Sequence, residues 1–507
     1  MKAPTVTLNA AAVTIEDVVG VARHGWRVKI DPPARTAAEH ARRVVDDAAG
    51  GADPVYGINT GFGSLSQHRV EPDQVAEIQR NLLRSHAAGV GEPLDAEVVR
   101  AMMFLLLASL CRGHSGVRVE VLNMLAALLN HDVVPVVPCR GSVGASGDLA
   151  PLSHAALLLI GEGEAMVGDR GPMPGAEALA MTALTPLTLA AKEGLALING
   201  THLMAGTLAL ACHDASTLMS AATGSAAMSI DAARASAGPL DPRLHAARNQ
   251  CGQAAIAAEL LEALRGSQIL LDHADDDPRV QDPYSFRCIP QVLGAARDAL
   301  AYVRTITERE LGGVTDNPLI FPEQQEILSG GNFHGMPLAI AADTAKIALC
   351  HVAGIAERRI YWLLSGRDQQ NPLPHHLSPS PGLHSGLMIT QYTAAALCNE
   401  LQCIATPASV GNVPTSAGIE DYNSMGATSA AYLRHGVELT RQTVAIEYLV
   451  AAEGLEHQRP LRSGRGVEAL HARVRTSVLP LTEDRPPSGD IAVIAEMILD
   501  GSLSEPS

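Results

Sequence analysis

The feature that most limits what this chain can become is its long helical periodicity, in places too apolar to sit at a surface. In Glu97-Val98-Val99-Arg100-Ala101-Met102-Met103-Phe104-Leu105-Leu106-Leu107 the apolar face widens until little of the helix could meet water, which predicts central burial. Similar patterns run through about 185–235, 253–272, 291–311, 338–366, 384–405 and 423–454, separated by Gly, Pro and Asn clusters. Apolar residues make up 47% of the 507, charged ones 18% and aromatic ones only 3%. A core so poor in rings and so rich in alanine is one of closely packed helices. The expected fold class is therefore mainly α, an elongated central helix bundle with a smaller mixed N-terminal part.

Strand signals are few and fall in the first third: Thr5-Val6-Thr7-Leu8, Val133-Val134-Pro135-Val136-Val137-Pro138, and a pair flanking Gly168-Asp169-Arg170-Gly171. They place a mixed domain at 1–200 and a helical-bundle domain at 201–507. The segment 369–382, with Pro372, Pro374, Pro379 and Pro381, reads as a loop. No internal repeat or low-complexity tract is evident.

A formal net charge of −17 with no Lys/Arg-rich block disfavours nucleic acid and anionic membrane as partners. Met1-Lys2-Ala3-Pro4-Thr5-Val6-Thr7 is not a charged leader followed by an apolar run, so a cytoplasmic location is expected. The apolar stretch from Leu195 to Cys212 is interrupted by Asn199, Thr201 and His202, and reads as a buried helix rather than a membrane span. Eight cysteines at 111, 139, 212, 251, 288, 350, 398 and 403 show no zinc-ribbon or redox spacing and read as reduced, buried thiols. His375 and His376 are the nearest approach to a metal motif, but no His-Glu-x-x-His is present, so no metal site is expected.

The chemistry is concentrated in Gly141-Ser142-Val143-Gly144-Ala145-Ser146-Gly147-Asp148-Leu149-Ala150-Pro151-Leu152-Ser153-His154, where three glycines and three small residues precede a helix starting near Asp148. Alone, this is a tight turn with Asp148 as helix cap. A phosphate-binding loop is disfavoured, because the Gly-Lys-Ser/Thr ending and the surrounding βαβ unit are absent. Four other segments stand out: Tyr56-Gly57-Ile58-Asn59-Thr60-Gly61-Phe62-Gly63, Ile198-Asn199-Gly200-Thr201, Gln281-Asp282-Pro283-Tyr284-Ser285-Phe286-Arg287 and Ser329-Gly330-Gly331-Asn332-Phe333-His334-Gly335. Each also has a plain structural reading. Tyr56 and Phe333 would pack, Arg287 would form an ion pair, and Asn199 would bond a helix carbonyl, since a buried unsatisfied amide costs about 1–3 kcal/mol.

Together these motifs make the chain resemble the aromatic amino acid lyase family, from about Thr7 to Glu483-Asp484-Arg485-Pro486. The resemblance implies that Ala145, Ser146 and Gly147 cyclise and lose two waters to give 4-methylidene-imidazol-5-one (MIO), with no diffusible cofactor. The nitrogen of Gly147 must reach the carbonyl carbon of Ala145, an approach eased by the missing Cβ, and dehydration of Ser146 supplies the methylidene. Such an electrophile is useful because ammonia is a poor leaving group and the β-hydrogen a very weak acid. Covalent capture of the amine divides the elimination into easier steps.

The same resemblance assigns roles. Tyr56 would take the β-proton, which requires a phenol pKa well below its usual value of about 10. Arg287 would pair with the substrate carboxylate, a task suited to a bidentate guanidinium, and Tyr284 would assist amine transfer. The Asn199 amide would stabilise charge on the imidazolone oxygen. Gly63, Gln281 and Phe333 would line the substrate pocket. A homotetramer is implied, with active sites drawing residues from three subunits.

Substrate choice rests on two places. Ser85-His86 follows Asn81-Leu82-Leu83, as in histidine-acting members, whereas tyrosine-acting members typically show His-Leu and phenylalanine-acting ones Phe-Leu. Glu420, next to Ile419, stands where histidine-acting members have glutamate and the others usually glutamine. A carboxylate suits an imidazole N–H and would be uncompensated against a phenyl ring. Two departures oppose this: Ile419-Glu420-Asp421-Tyr422 replaces Gln-Glu-Asp-His, and Cys398-Asn399-Glu400-Leu401 replaces Ser-Glu-Asn-Lys. One polar partner and one cation near the substrate ring are thereby missing. The expected reaction is non-oxidative loss of ammonia from L-histidine to give urocanate. A lyase or aminomutase acting on tyrosine, phenylalanine or a modified histidine such as ergothioneine stays open, as does a helical scaffold that never forms the ring.

Overall fold

Helix Ala96–Leu110 is buried at every position from Val98 to Leu110, as its all-round apolar pattern requires. Arg100, the one charge in that buried run, donates to the carbonyl of Val21 at 2.7 Å and pairs with Asp132 at 2.7 Å. The computed structural model describes residues 3–51, 54–61, 71–274, 277, 279–371 and 373–504. Their secondary structure is mainly α. The patterns at 291–311, 338–366, 384–405 and 423–454 are the helices Ile289–Leu311, Met336–Ser365, Met388–Ile404 and Gly426–Glu456. Among the described residues one helix, Met336–Ser365, is long and apolar enough to cross a membrane, and 67% of its apolar window is buried in the fold.

Two long patterns are broken. The 253–272 stretch becomes Cys251–Ala263 and Gln268–Asp272, because Gly266 takes φ +81° and Ser267 caps the second helix through Leu270 N. The apolar run from Leu195 to Cys212 is likewise not one helix. Glu193–Ile198 ends at Asn199, which is extended with ψ 131°, and His202–Ala232 begins anew.

The chain forms two compact units, each assembled from three stretches: 1–213, 304–342 and 407–431 in the first, 214–303, 343–406 and 432–507 in the second. The first holds all the named strands. Thr5–Leu8 pairs in parallel with Arg27–Ile30, and both alternate exposed and buried, as a half-buried strand should. The strands flanking the Gly168-Asp169 turn, Glu164–Val167 and Arg170–Pro174, pair as expected and are extended by Val133–Pro135. The run 133–138 is not one strand, for Pro138–Arg140 joins Val90–Pro93 in another sheet. Strands are not confined to the first third either. Leu319–Phe321 and Glu326–Leu328 form an antiparallel hairpin.

The second unit shows no named strand among its described residues. At its centre Arg359 and Glu447, both fully buried, pair at 2.5 Å, and Ser225 and Ser229 donate to the same carboxylate at 2.8 and 2.7 Å. Arg359 also donates to the carbonyl of Ser285 at 3.3 Å, which fastens the Gln281–Arg287 segment to that knot. Within the segment 369–382, the described residues form a loop with one 3-10 turn at His375–Leu377. All eight cysteines are free, but the expectation of burial fails for Cys251 and Cys403, which are exposed.

Candidate active site

The glycine-rich segment is a turn held on three sides. Ser146 takes φ +49°, with Gly144 at +85° and Gly147 at +86°. Gly147 N donates to Gly144 O at 3.3 Å, Gly200 N to Ser146 O at 3.0 Å, and Asp148 N to Gly200 O at 2.8 Å. A Cβ on Gly147 would stand 2.1 Å from Gly200 O, and one on Gly144 2.1 Å from Ser424 Oγ. At Gly147 the obstacle is backbone and leaves no room for a side chain, while at Gly144 a serine hydroxyl would have to turn aside and the φ of +85° itself favours glycine. The tripeptide Ala145-Ser146-Gly147 is thus folded tightly back on itself, which fits the ring closure the family resemblance implies.

Asp148 caps a helix, but not its own. It makes no side-chain cap to Leu149–Leu159. One carboxylate oxygen accepts from Leu203 N and Met204 N at 3.0 Å each, and the other from Ser142 Oγ at 3.2 Å. It therefore ties the turn to the start of His202–Ala232. Burial pushes its pKa up to about 7 against these hydrogen bonds, and Glu310 adds to the rise. His202 nearby is buried with both ring nitrogens unpartnered, and burial holds its pKa down at about 4.

Asn199 adjoins this turn through Gly200 and is 2% exposed. Its amide nitrogen donates to Asn317 O at 3.1 Å and Asp316 Oδ1 at 3.4 Å, while its oxygen is buried without a partner. The end left free is thus an acceptor, whereas stabilising charge on a ring oxygen requires a donor. Helix Glu193–Ile198, which leads into Asn199, is anchored by Glu193: Arg118 binds it at 2.8 and 2.7 Å, and Ala190 N donates to it at 2.8 Å. The loop carrying half-buried Tyr56 packs on that helix, since a Cβ on Gly57 would lie 2.5 Å from Leu195. Gly63 lies outside the described residues.

The substrate-selecting candidates fall in the same unit. Ser85 and His86 end helix Val75–His86, 3.0 Å apart through Ser85 Oγ and His86 Nδ1, and both bond Leu82 O. Glu420 Oε1 lies 3.4 Å from Ser146 Oγ, and its other oxygen accepts from Thr415 at 2.9 Å. Ile419 beside it is 71% exposed. Phe333 is half-buried in a turn, and the next residue, His334, bonds Tyr422 O at 3.0 Å. Lys192, Asp316, Thr415 and Ser424 were not among the sequence candidates, having no motif of their own.

Gln281, Tyr284 and Arg287 belong to the second unit. Tyr284–Arg287 is a single helical turn, so the two side chains do face one way, with the guanidinium 4.5 Å from the ring centroid. Tyr284 is 70% exposed, Gln281 is exposed, and the Nε of Arg287 is buried without a partner. Asp282 fixes the approach by accepting from Ser236 N at 2.7 Å.

A helical fold that clamps an Ala-Ser-Gly turn beside a buried amide and a carboxylate has the parts of a carbon–nitrogen lyase. The sequence model for aromatic amino acid lyases matches residues 13–476, and the chain belongs to that family. It is 49% identical to the histidine ammonia-lyase of Deinococcus radiodurans, over 97% of this chain and 93% of that one. Its fold is similar to the crystal structure of histidine ammonia-lyase from Trypanosoma cruzi, with TM-score 0.91, 38% identity, and 98% and 94% of the two chains covered. A tyrosine aminomutase from Streptomyces globisporus is similar too, with TM-score 0.92, 36% identity and coverage of 98% and 97%.

Proposed function

We propose that the chain removes ammonia from L-histidine to give urocanate, using an MIO group formed from Ala145, Ser146 and Gly147, as a cytoplasmic homotetramer. The observation that carries this reading is the 3.4 Å contact between Ser146 Oγ and Glu420 Oε1. It joins the ring-forming serine to a carboxylate suited to an imidazole N–H. Glu420 forms no ion pair among the described residues, and a carboxylate so placed favours a substrate ring that donates, whereas a phenyl ring would desolvate it without offering a donor. The name of the Deinococcus relative, 49% identical over 97% of this chain, supports the same choice.

MIO would supply an electrophile for the substrate amine, and the turn fits it because Ser146 is left-handed and Gly147, clamped against Gly200, folds back to donate to Gly144 O. The rest falls to side chains. Tyr56 takes the β-proton. Arg287, stacked on Tyr284 with its Nε unpartnered, binds the substrate carboxylate, and Tyr284 assists at the amine. Gln281, Gly63 and Phe333 border the substrate, while Ser85, His86, Ile419 and Glu420 hold its ring end. Self-association is supported by exposed apolar residues on the second unit's helices, such as Ile389 at 53% and Tyr392 at 58%, a kind of surface that marks interfaces.

A panel of amino acids followed in the ultraviolet, with product mass, tests the substrate. Urocanate from histidine supports the reading. Coumarate, cinnamate or a β-amino acid as the main product would replace it with a tyrosine or phenylalanine lyase, or with an aminomutase.

A further inference from the structure

Lys192 sits in the left-handed region at φ +69°, and its side chain is fully buried, with Nζ 2.6 Å from Asp316 Oδ2. Asp316 is buried as well. Its second oxygen accepts from Asn317 N at 2.6 Å and faces Asn199 Nδ2 at 3.4 Å, while Asn199 Nδ2 also donates to Asn317 O at 3.1 Å. Buried ion pairs are weak devices for stability, because desolvation offsets much of their attraction. This one adjoins a functional amide.

An amide side chain has two N–H donors and one acceptor oxygen. Carboxylate and carbonyl both accept, so Asn199 can meet Asp316 and Asn317 only with its nitrogen. Its oxygen is thereby turned the other way, where it is buried and unpartnered. Lys192 Nζ occupies Asp316 Oδ2 and so holds the carboxylate with Oδ1 turned to the Asn199 nitrogen.

We propose that Lys192 and Asp316 are positioning residues: their ion pair fixes the Asn199 amide so that its oxygen accepts an N–H from the substrate amino group. This rests on the reading that Asn199 belongs to the active site. The buried pair thereby orients the nitrogen that will leave as ammonia, without touching it.

The test is a mutant cycle with L-histidine as substrate, using the wild type, Asn199→Ala, Lys192→Met/Asp316→Asn and the triple variant, with intact mass recorded for each. The pair variant should keep the loss of two waters but lose kcat by on the order of a hundredfold, as should Asn199→Ala. Adding Asn199→Ala to the pair variant should lower kcat by no more than about threefold, because the same function is already lost. Losses that multiply, a wild-type kcat in the pair variant, or a missing two-water loss would each overturn the proposal. An unchanged kcat in Asn199→Ala alone would mark failure of the active-site reading, and the proposal would fall with it. If the pair variant does not fold, Asp316→Asn alone enters the same cycle. If that also fails to fold, the pair serves the fold and the proposal is overturned.

Discussion

Gly147 and Gly200 are packed backbone to backbone: a Cβ added to Gly147 would stand 2.1 Å from the carbonyl oxygen of Gly200, whose own N–H is bound to Ser146 O at 3.0 Å. The two glycines hold the Ala145–Gly147 turn closed from the side of Asn199.

Gly147→Ala should therefore prevent ring closure. Its φ of +86° already disfavours a side chain, and the carbonyl opposite is backbone that cannot move aside alone. The variant should be soluble, keep its full unmodified mass and show no turnover. Wild-type turnover would mean the clamp is not needed.

Tyr56→Phe removes only an oxygen from a half-buried residue, so the fold and the two-water loss should persist. The rate should fall by about a hundredfold to ten-thousandfold, the usual range for a lost general base. A loss under about tenfold would assign the β-proton to another group.

Glu420→Gln keeps the hydrogen-bonding shape but removes the charge that the proposed function sets against the substrate ring. Histidine kcat/KM should drop by at least about tenfold, with a relative gain for tyrosine or phenylalanine. Undiminished histidine turnover would remove the case for histidine while leaving the reaction class untouched.

Asp148 and His202 should oppose each other in the pH dependence of stability. Asp148 has its folded pKa raised from 3.8 to about 7, so its contribution is full below about pH 4 and is lost as pH rises to 7. His202 has its folded pKa lowered from 6.5 to about 4, so its contribution is full above about pH 6.5 and is lost as pH falls to 4. His202→Gln should unmask a stability that declines from pH 4 to 7, and Asp148→Asn one that rises over the same window. Thermal midpoints at fixed protein concentration would show it. Parallel curves for both variants and the wild type would contradict the assignment.

The long helices were legible because apolar residues recur at helical spacing over many turns, as in Met336–Ser365 and Gly426–Glu456. The break at Asn199 was not, since Leu195–Ile198 and Leu203–Cys212 are equally apolar. The interruption comes from hydrogen bonds between Gly200 and the 146–148 backbone, partners more than fifty residues away. The hairpin at 319–328 is only three residues per strand, too short for an alternation signal. In the site, the glycines at 144 and 147 signalled the turn in advance. What Asp148 binds and what holds Asn199 depend on Leu203, Met204, Lys192 and Asp316, brought near by folding rather than by spacing.

The most direct test of the account is the mass of the purified, active enzyme, followed by peptide mapping across Gly141–His154. The account predicts a deficit of two waters, located on Ala145-Ser146-Gly147 and absent from Ser146→Ala. An unmodified tripeptide in a preparation that converts histidine to urocanate would contradict it.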